Sequence, residues 1–277
     1  MLLDYFSTLQ HMSVWQVYSL LLLVLMRIAP IMVIAPFLGS KLAPGISRVG
    51  LALCLSVIFL PYIIETMKEP VDFNNAFIFY SIKELLIGFV LGFFVAIPFY
   101  MVQTSGIIVD YLRGASIMQS QDPSMQTQAS PIGIFYNYIL IVIFFQMSGP
   151  FLFFDALLKS YEIVPPAGLI NPLFLSMKST FWTTSFDLIN RIVTIAIQLS
   201  APAILAILMA EMFLGVANRL APQVQIAFLG MSIKSFLGLG LLWAAWFFIL
   251  KQFTKQAQDW LGLINKMIAF MKYLNAS

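Results

Sequence analysis

Long apolar stretches separated by short polar breaks occupy nearly the whole chain. Because a helix needs about 20 apolar residues to cross a bilayer core, most of these stretches are long enough to do so. A shorter stretch that contains proline, 163–177, follows the fourth of them. The pattern predicts an all-α, polytopic membrane-type protein with six apolar blocks, at 14–38, 46–64, 76–109, 132–158, 186–217 and 224–250.

Prolines and terminal charges complicate a simple picture of six straight spans. Pro30 and Pro36 predict a broken helix in the first block, and Pro98 predicts a kink in the long third block. Four lysines after residue 250 favour a cytoplasmic C-terminus, whereas the N-terminal residues carry an acid and no basic residue before Arg27. Six crossings would place both ends on one side. Either 163–177 also crosses, or some blocks are not simple spans.

Composition supports a membrane setting and excludes several kinds of chemistry. The 277 residues are 61% hydrophobic and include only 15 Lys+Arg and 12 Asp+Glu, whereas a soluble domain of this length carries about 70 charged residues. One histidine and one cysteine cannot form a zinc set or an internal disulfide. We therefore predict no catalytic residue, metal site or cofactor. The net charge of +3 is too small to indicate nucleic acid.

The chain divides into a helical part, 1–250, and a C-terminal part, 251–277. The C-terminal part has apolar residues at three- and four-residue spacings together with Lys251, Lys255 and two further lysines. This pattern predicts a basic amphipathic helix. It is either an anchor at the membrane interface or a docking helix for a partner subunit.

Charged residues inside the apolar blocks are candidates for buried pairing, either between helices or between subunits. Lys83 and Glu84 are adjacent and do not face each other on a helix, so we expect each to need a partner elsewhere. Gly88 and Gly92 have the small-xxx-small spacing that lets two helix backbones approach closely. The candidate charges are Arg27, Lys83, Glu84, Asp110, Arg113, Glu211, Arg219 and Lys234.

The segment 114–131, between the third and fourth blocks, has an unusual composition. Its residues after Gly114 include four glutamines, two methionines and a single charge, Asp122. Methionine is flexible and packs against varied surfaces. The segment is either a plain polar surface loop or a re-entrant loop that forms a pore constriction, which is allowed at membrane depth only where protein or water surrounds it.

Several strings, which run in a fixed order from RIAPIMVIAPFLGSKLAP at 27–44 to MSIK at 231–234, resemble one protein family, the T subunit of type III secretion export apparatuses and its flagellar counterpart. The forms of 130–133 and 160–165 favour the injectisome version over the flagellar one. The similarity covers residues 27–240. The strings are RIAPIMVIAPFLGSKLAP at 27–44, ELLIGFVLGF at 84–93, GIIVDYLRGAS at 106–116, SPIG at 130–133, SYEIVP at 160–165, APAILAILMAEMFLGVANRLAPQ at 201–223 and MSIK at 231–234.

The resemblance implies a structural and gating subunit of a protein-export channel in the bacterial inner membrane. It implies R, S and U subunits as partners, unfolded secreted proteins as cargo, and a core raised partly towards the periplasm, so that lipid covers only part of the apolar surface. It also implies that the loop plugs the closed pore. With no aromatic residue there, Ile117, Met118 and Met125 would fill the lumen. The implied gate is Ile117, Met118, Gln119, Ser120, Gln121, Asp122, Pro123, Ser124, Met125 and Gln126.

A small-solute or proton-coupled permease is the alternative. Such a protein needs a substrate site near the bilayer midplane, commonly at helices broken in corresponding positions of two repeats. The prolines at 30, 36 and 202 fit broken helices, but the two halves show no visible symmetry. Most acids also have a basic residue nearby in sequence, which is unusual for a proton carrier. The chain has no G-x-x-x-x-G-K-[ST] nucleotide loop, so we expect no ATP hydrolysis.

Overall fold

The computed structural model describes residues 12–39, 43–67, 71–114, 130–168, 180–220 and 226–275. Every regular element in these ranges is helical, which confirms the predicted all-α class. Four helices are individually long and apolar enough to cross a membrane, and the number rises to six if each of two bent helix pairs counts as one span. The helices are α1 Val14–Ile34, α2 Gly45–Thr66, α3 Asn75–Leu112, α4 Pro131–Gln146, α5 Gly149–Ile163, α6 Thr180–Leu220, α7 Ile226–Ala244 and α8 Trp246–Asn275.

The first apolar block is broken at Pro36 and continuous through Pro30. Helix α1 begins at a capping box formed by Ser13 and Gln16, and Pro30 lies inside it. The residue before a proline is disfavoured in the helical region. Accordingly Ala35 is extended, and Pro36 opens a short 3₁₀ turn. The predicted break is confirmed at the second proline only.

Two other blocks are bent. The fourth block is not one helix, because α4 and α5 meet at 74°. Ser148 between them has a left-handed backbone, with φ of 57°, and Pro150 occupies the first turn of α5. In the last block, α7 and α8 meet at 64°. These bends confirm the expectation that some blocks are not simple spans.

The chain forms two compact units that share three helices. One unit comprises 1–97, 148–186 and 260–277, and the other comprises 98–147 and 187–259. Helix α3 is continuous over 38 residues, and the division between the units falls at Pro98 inside it. Helix α8 continues across residues 250 and 251, so the predicted boundary there lies within one helix.

Each unit has its own apolar core. In the first unit α1 packs against α2, and α2 packs against α5. Leu20, Leu23 and Ile63 are fully buried there. In the second unit, aromatic rings join helices, with the ring centroids of Phe99 and Phe144 5.5 Å apart and those of Tyr136 and Phe253 5.2 Å apart.

Candidate functional site

The most deeply buried charges of the first unit belong to Arg27 on α1 and Glu84 on α3. Arg27 Nε donates to Glu84 Oε2 at 2.5 Å and Nη2 donates to Oε1 at 2.8 Å, and both side chains are fully buried. Such two-point pairing between a guanidinium and a carboxylate fixes geometry as well as supplying energy. The pair therefore locks the relative position of α1 and α3.

The rest of the Arg27 guanidinium is satisfied by helix α5 and the residues after it. Nη1 donates to the Ser160 hydroxyl at 3.0 Å, and Nη2 also donates to the Val164 carbonyl at 2.8 Å. The guanidinium carbon lies 3.9 Å from the centre of the Tyr161 ring, a cation–π contact. Arg27 thus connects three helices of the unit.

Lys83 lies beside this pair and is bound by backbone oxygens. Its ammonium donates to the carbonyls of Pro165, Pro166 and Gly168 at 2.7, 2.9 and 2.8 Å. It also lies 2.9 Å from Glu84 Oε1. The expectation that these adjacent residues do not pair is wrong, because the long lysine side chain folds back towards the same buried carboxylate. Each residue nevertheless has further partners, as expected.

The cluster contains two cations and one carboxylate. Four backbone carbonyls that accept from Arg27 and Lys83 offset the extra positive charge. They belong to residues just after the C-terminal end of α5, namely Val164, Pro165, Pro166 and Gly168. That end of a helix carries partial negative charge. The segment 164–168 is therefore held against α1 and α3 by buried charge.

Gly88 and Gly92 provide the close approach on which this cluster depends. A Cβ atom at Gly88 would overlap the Arg27 carbonyl oxygen and lie 3.0 Å from Arg27 Cα, and one at Gly92 would lie 3.1 Å from Ile31 Cα. Only a residue without a Cβ lets α3 lie this near to α1. Glu84 stands one turn before Gly88, so the same approach brings its carboxylate to Arg27.

A second polar cluster lies in the other unit, at the two ends of the segment 114–131. Asp110 is buried near the end of α3, and its Oδ2 accepts from the Ser130 hydroxyl at 2.6 Å and from the Ile132 backbone N–H at 2.8 Å. Arg113 Nη2 lies 3.2 Å from Oδ1 of the same aspartate. Asp110 therefore joins the end of α3, before the segment, to the start of α4, which follows it.

Helix packing strengthens this junction. A Cβ atom at Gly106 would lie 2.6 Å from the Cα of Gly133, so α3 and the start of α4 are in backbone contact. The Ser130 hydroxyl caps α4 by accepting from the Gly133 N–H at 3.0 Å. The two ends of the segment are thus held together. We call the contacts of Gly106 and Asp110 with Ser130 and Gly133 the loop base. The predicted gate residues 117–126 lie outside the described residues.

The remaining candidate charges lie on α6 and α7 in the second unit. Lys234 forms an ion pair with Glu211, and their side chains are 23% and 43% exposed. Arg219 is exposed near the end of α6. The ion pair of Glu211 thus connects α6 to α7. Among the described residues, no group of three or more His, Cys, Asp or Glu side chains could hold a metal ion.

Several partners in these clusters were not identified from the sequence. They are the Ser160 hydroxyl, the Tyr161 ring, the carbonyls of 164–168, and the Ser130 and Ile132 groups at the loop base. Backbone carbonyls leave no signature in a sequence. The Ser-Pro pair at 130–131, however, is a recognisable helix start, and it could have indicated a capped end near Asp110.

Comparison with known proteins places the chain among bacterial export components. The profile of the family described as "Bacterial export proteins, family 1" matches residues 18–260. The chain is 33% identical over 216 residues to "Yop proteins translocation protein T" of Yersinia pestis, which covers 77% of this chain and 80% of the relative. It is 30% identical over 209 residues to "Surface presentation of antigens protein SpaR" of Salmonella typhimurium, covering 76% of each. It is also 28% identical over 256 residues to "Flagellar biosynthetic protein FliR" of Aquifex aeolicus, covering 91% of this chain and 95% of the relative.

Proposed function

The chain belongs to the bacterial export proteins, family 1, and we propose that it is a structural subunit of the export apparatus of a type III protein secretion system. The observation that carries this proposal is the agreement of relatives named for surface presentation, for Yop translocation and for flagellar biosynthesis. The description of the family names export, and the name of the Yersinia relative refers to translocation of proteins.

We propose the injectisome form of the apparatus in preference to the flagellar one. The sequence strings that favour it, 130–133 and 160–165, lie at the two polar clusters of the molecule. The first contains the Ser130 cap of the loop base, and the second contains Ser160 and Tyr161, which contact Arg27. Both strings thus have a physical role in this fold.

The gating part of the proposal concerns the loop between Gly114 and Ser130. We propose that residues 117–126 plug the pore when no substrate is present and are displaced by a passing unfolded protein. The loop base supports this, since Asp110 and the contact of Gly106 with Gly133 hold both loop ends in place. A plug needs fixed ends if only its middle is to move.

The proposed partners are the R, S and U subunits of the apparatus. Helix α6 from Asn190 to Leu220 is apolar enough to span a membrane, yet only 28% of its most apolar window is buried. The partly exposed ion pair of Glu211 with Lys234 joins this helix to α7. Lipid penalises exposed charges. Contact with neighbouring subunits, in a core raised partly towards the periplasm, suits the part of α6 around this ion pair better than lipid does.

We propose a passive mechanism in which other subunits supply the energy. The buried charges of the first unit are committed to one another and to backbone carbonyls, as a scaffold requires. A proton-coupled permease instead needs a carboxylate free to gain and lose a proton. Glu84 lies between Arg27 and Lys83, and Asp110 lies beside Arg113, so neither fits that need.

Co-expression with candidate partners tests the proposal. The full-length chain is tagged and produced with the R, S and U subunits encoded in the same genome, and an unrelated polytopic protein carries the same tag as a control. We expect one stable complex that contains R and S subunits and survives size-exclusion chromatography. A monodisperse chain that leaves these subunits behind and binds a small solute would support the permease instead.

A further inference from the structure

A groove of about 1000 Å³ lies between α6 and α8 in the second unit. Leu199 and Pro202 of α6 and Phe247 and Phe248 of α8 supply much of its apolar wall. The polar part of the lining comes from three glutamines, two lysines and a threonine. They are Gln198, Gln252, Gln258, Lys251, Lys255 and Thr254.

The charge of the groove is positive. Lys251 and Lys255 are four residues apart, so they lie on one face of α8, and both are exposed. In the part of the chain that the structure describes, no carboxylate lines the groove. The glutamine amides add neutral hydrogen-bond donors beside the two ammonium groups. The lining therefore suits an anionic head group next to an apolar chain.

Exposed aromatic side chains flank the groove at the bend between α7 and α8. Trp243 is 83% exposed just before the bend, and Phe247 and Phe248 are each 72% exposed just after it. Tryptophan is enriched where the hydrocarbon meets the head groups. Lys251 and Lys255 follow Phe248 within two turns of α8, so an apolar chain packed on that ring would leave its head group beside the two lysines.

We propose that this groove binds one anionic phospholipid. Its phosphate lies between the ammonium groups of Lys251 and Lys255, and an acyl chain lies along Phe248 and Pro202. Basic pockets between apolar helices bind anionic head groups in this way. This site is independent of the export function and would hold even if the chain served another purpose.

Quenching of tryptophan fluorescence by brominated lipid tests the site, because Trp243 and Trp246 flank the bend beside it. The full-length protein is reconstituted in phosphatidylcholine that contains a minor fraction of dibrominated phosphatidylglycerol or, in parallel, dibrominated phosphatidylcholine. We expect excess quenching by the anionic lipid. The double variant K251Q/K255Q should weaken its apparent affinity about 30-fold, since each lysine near the surface contributes about fivefold.

The matched control is K266Q/K272Q, which removes the same charge from a later part of the same helix. We expect this variant to retain the excess quenching, and excess inorganic phosphate to leave it unchanged. Equal quenching by the two lipids, or equal loss in the two double variants, would overturn the proposal. Competition by phosphate would also overturn it, by showing a simple anion site. If K251Q/K255Q released a partner subunit and kept the lipid effect, the groove would be a protein interface.

Discussion

The carboxylate of Glu84 and the guanidinium of Arg27 form a fully buried two-point ion pair between α3 and α1, with N–O distances of 2.5 and 2.8 Å. The approach of Gly88 to the Arg27 backbone makes this pair possible. Lys83 adds a second cation, which carbonyls after α5 bind. Glu84 therefore joins α3 to α1, while Arg27 and Lys83 connect this pair to α5 and the residues after it.

Removing the charge of Glu84 should destabilise the first unit strongly. In Glu84→Gln two buried cations lose their shared carboxylate, and breaking a buried pair in this way costs about 3–5 kcal/mol. We expect a lower temperature of thermal unfolding for the purified protein in detergent. The control is Asp155→Asn, which breaks the exposed pair with Lys159 and should cost at most about 1 kcal/mol. Equal losses in the two variants would contradict a central role for the buried pair.

A methyl group at Gly88 should force α1 and α3 apart. In Gly88→Ala the new Cβ overlaps the Arg27 carbonyl oxygen, and overpacking of this kind costs about 1–3 kcal/mol. Gly50 in α2 provides the control, because a Cβ atom there meets nothing within 4 Å. Gly50→Ala should be neutral or slightly stabilising. Thermal unfolding of both variants measures the difference, and an unaffected Gly88→Ala protein would rule out the close approach.

The sequence predicts which residues form the buried charge cluster of the first unit, but it does not predict how they pair. Charges inside apolar blocks must find partners, so Arg27, Lys83 and Glu84 could be singled out. Spacing along one helix suggested that Lys83 and Glu84 do not meet, and this failed because the long lysine side chain folds back towards the buried carboxylate. The carbonyls of 164–168 carry no sequence signal, since every residue has one.

The helix breaks show a similar limit. A glycine and a proline at 149 and 150 interrupt the fourth block, yet its apolar character continues across them, and hydropathy alone reads it as one span. The loop base was also hidden, because the contact of Asp110 with Ser130 joins residues 20 positions apart. Its geometry depends on Gly106 meeting Gly133, which no local pattern encodes. The gate at 117–126 stays a prediction from the family resemblance.

Loosening the loop base should make the closed pore leak. Asp110→Asn removes the charge that binds Ser130 and Ile132, and hydrogen bonds to a charged group contribute about 1.5–3 kcal/mol. We expect the variant to assemble with its partners and to raise ion conductance across the membrane without substrate. Single-channel recording of the purified complex measures this. An assembled complex with unchanged closed-state conductance would contradict this role of Asp110.

Deleting residues 116–127 should leave the helices of both units intact and open the pore permanently. The base residues Asp110 and Ser130 remain in this variant, so their contact can still form. We expect normal co-purification with the R and S subunits and a large rise in ion conductance. A matched control replaces the same residues with a glycine–serine linker of equal length, which should leak to a similar extent if side chains form the plug. An unchanged closed-state conductance in the deletion variant would contradict the gating proposal.

The most direct test of the export function is the amount of type III substrate protein released into the medium by the native bacterium. The gene for this chain is deleted and then restored on a plasmid, either as wild type or as Glu84→Gln, with Asp155→Asn as the matched control. We expect secretion to vanish in the deletion, to return with the wild type and the control, and to stay low with Glu84→Gln. Undiminished secretion in the deletion strain, with every other apparatus gene intact, would contradict the account.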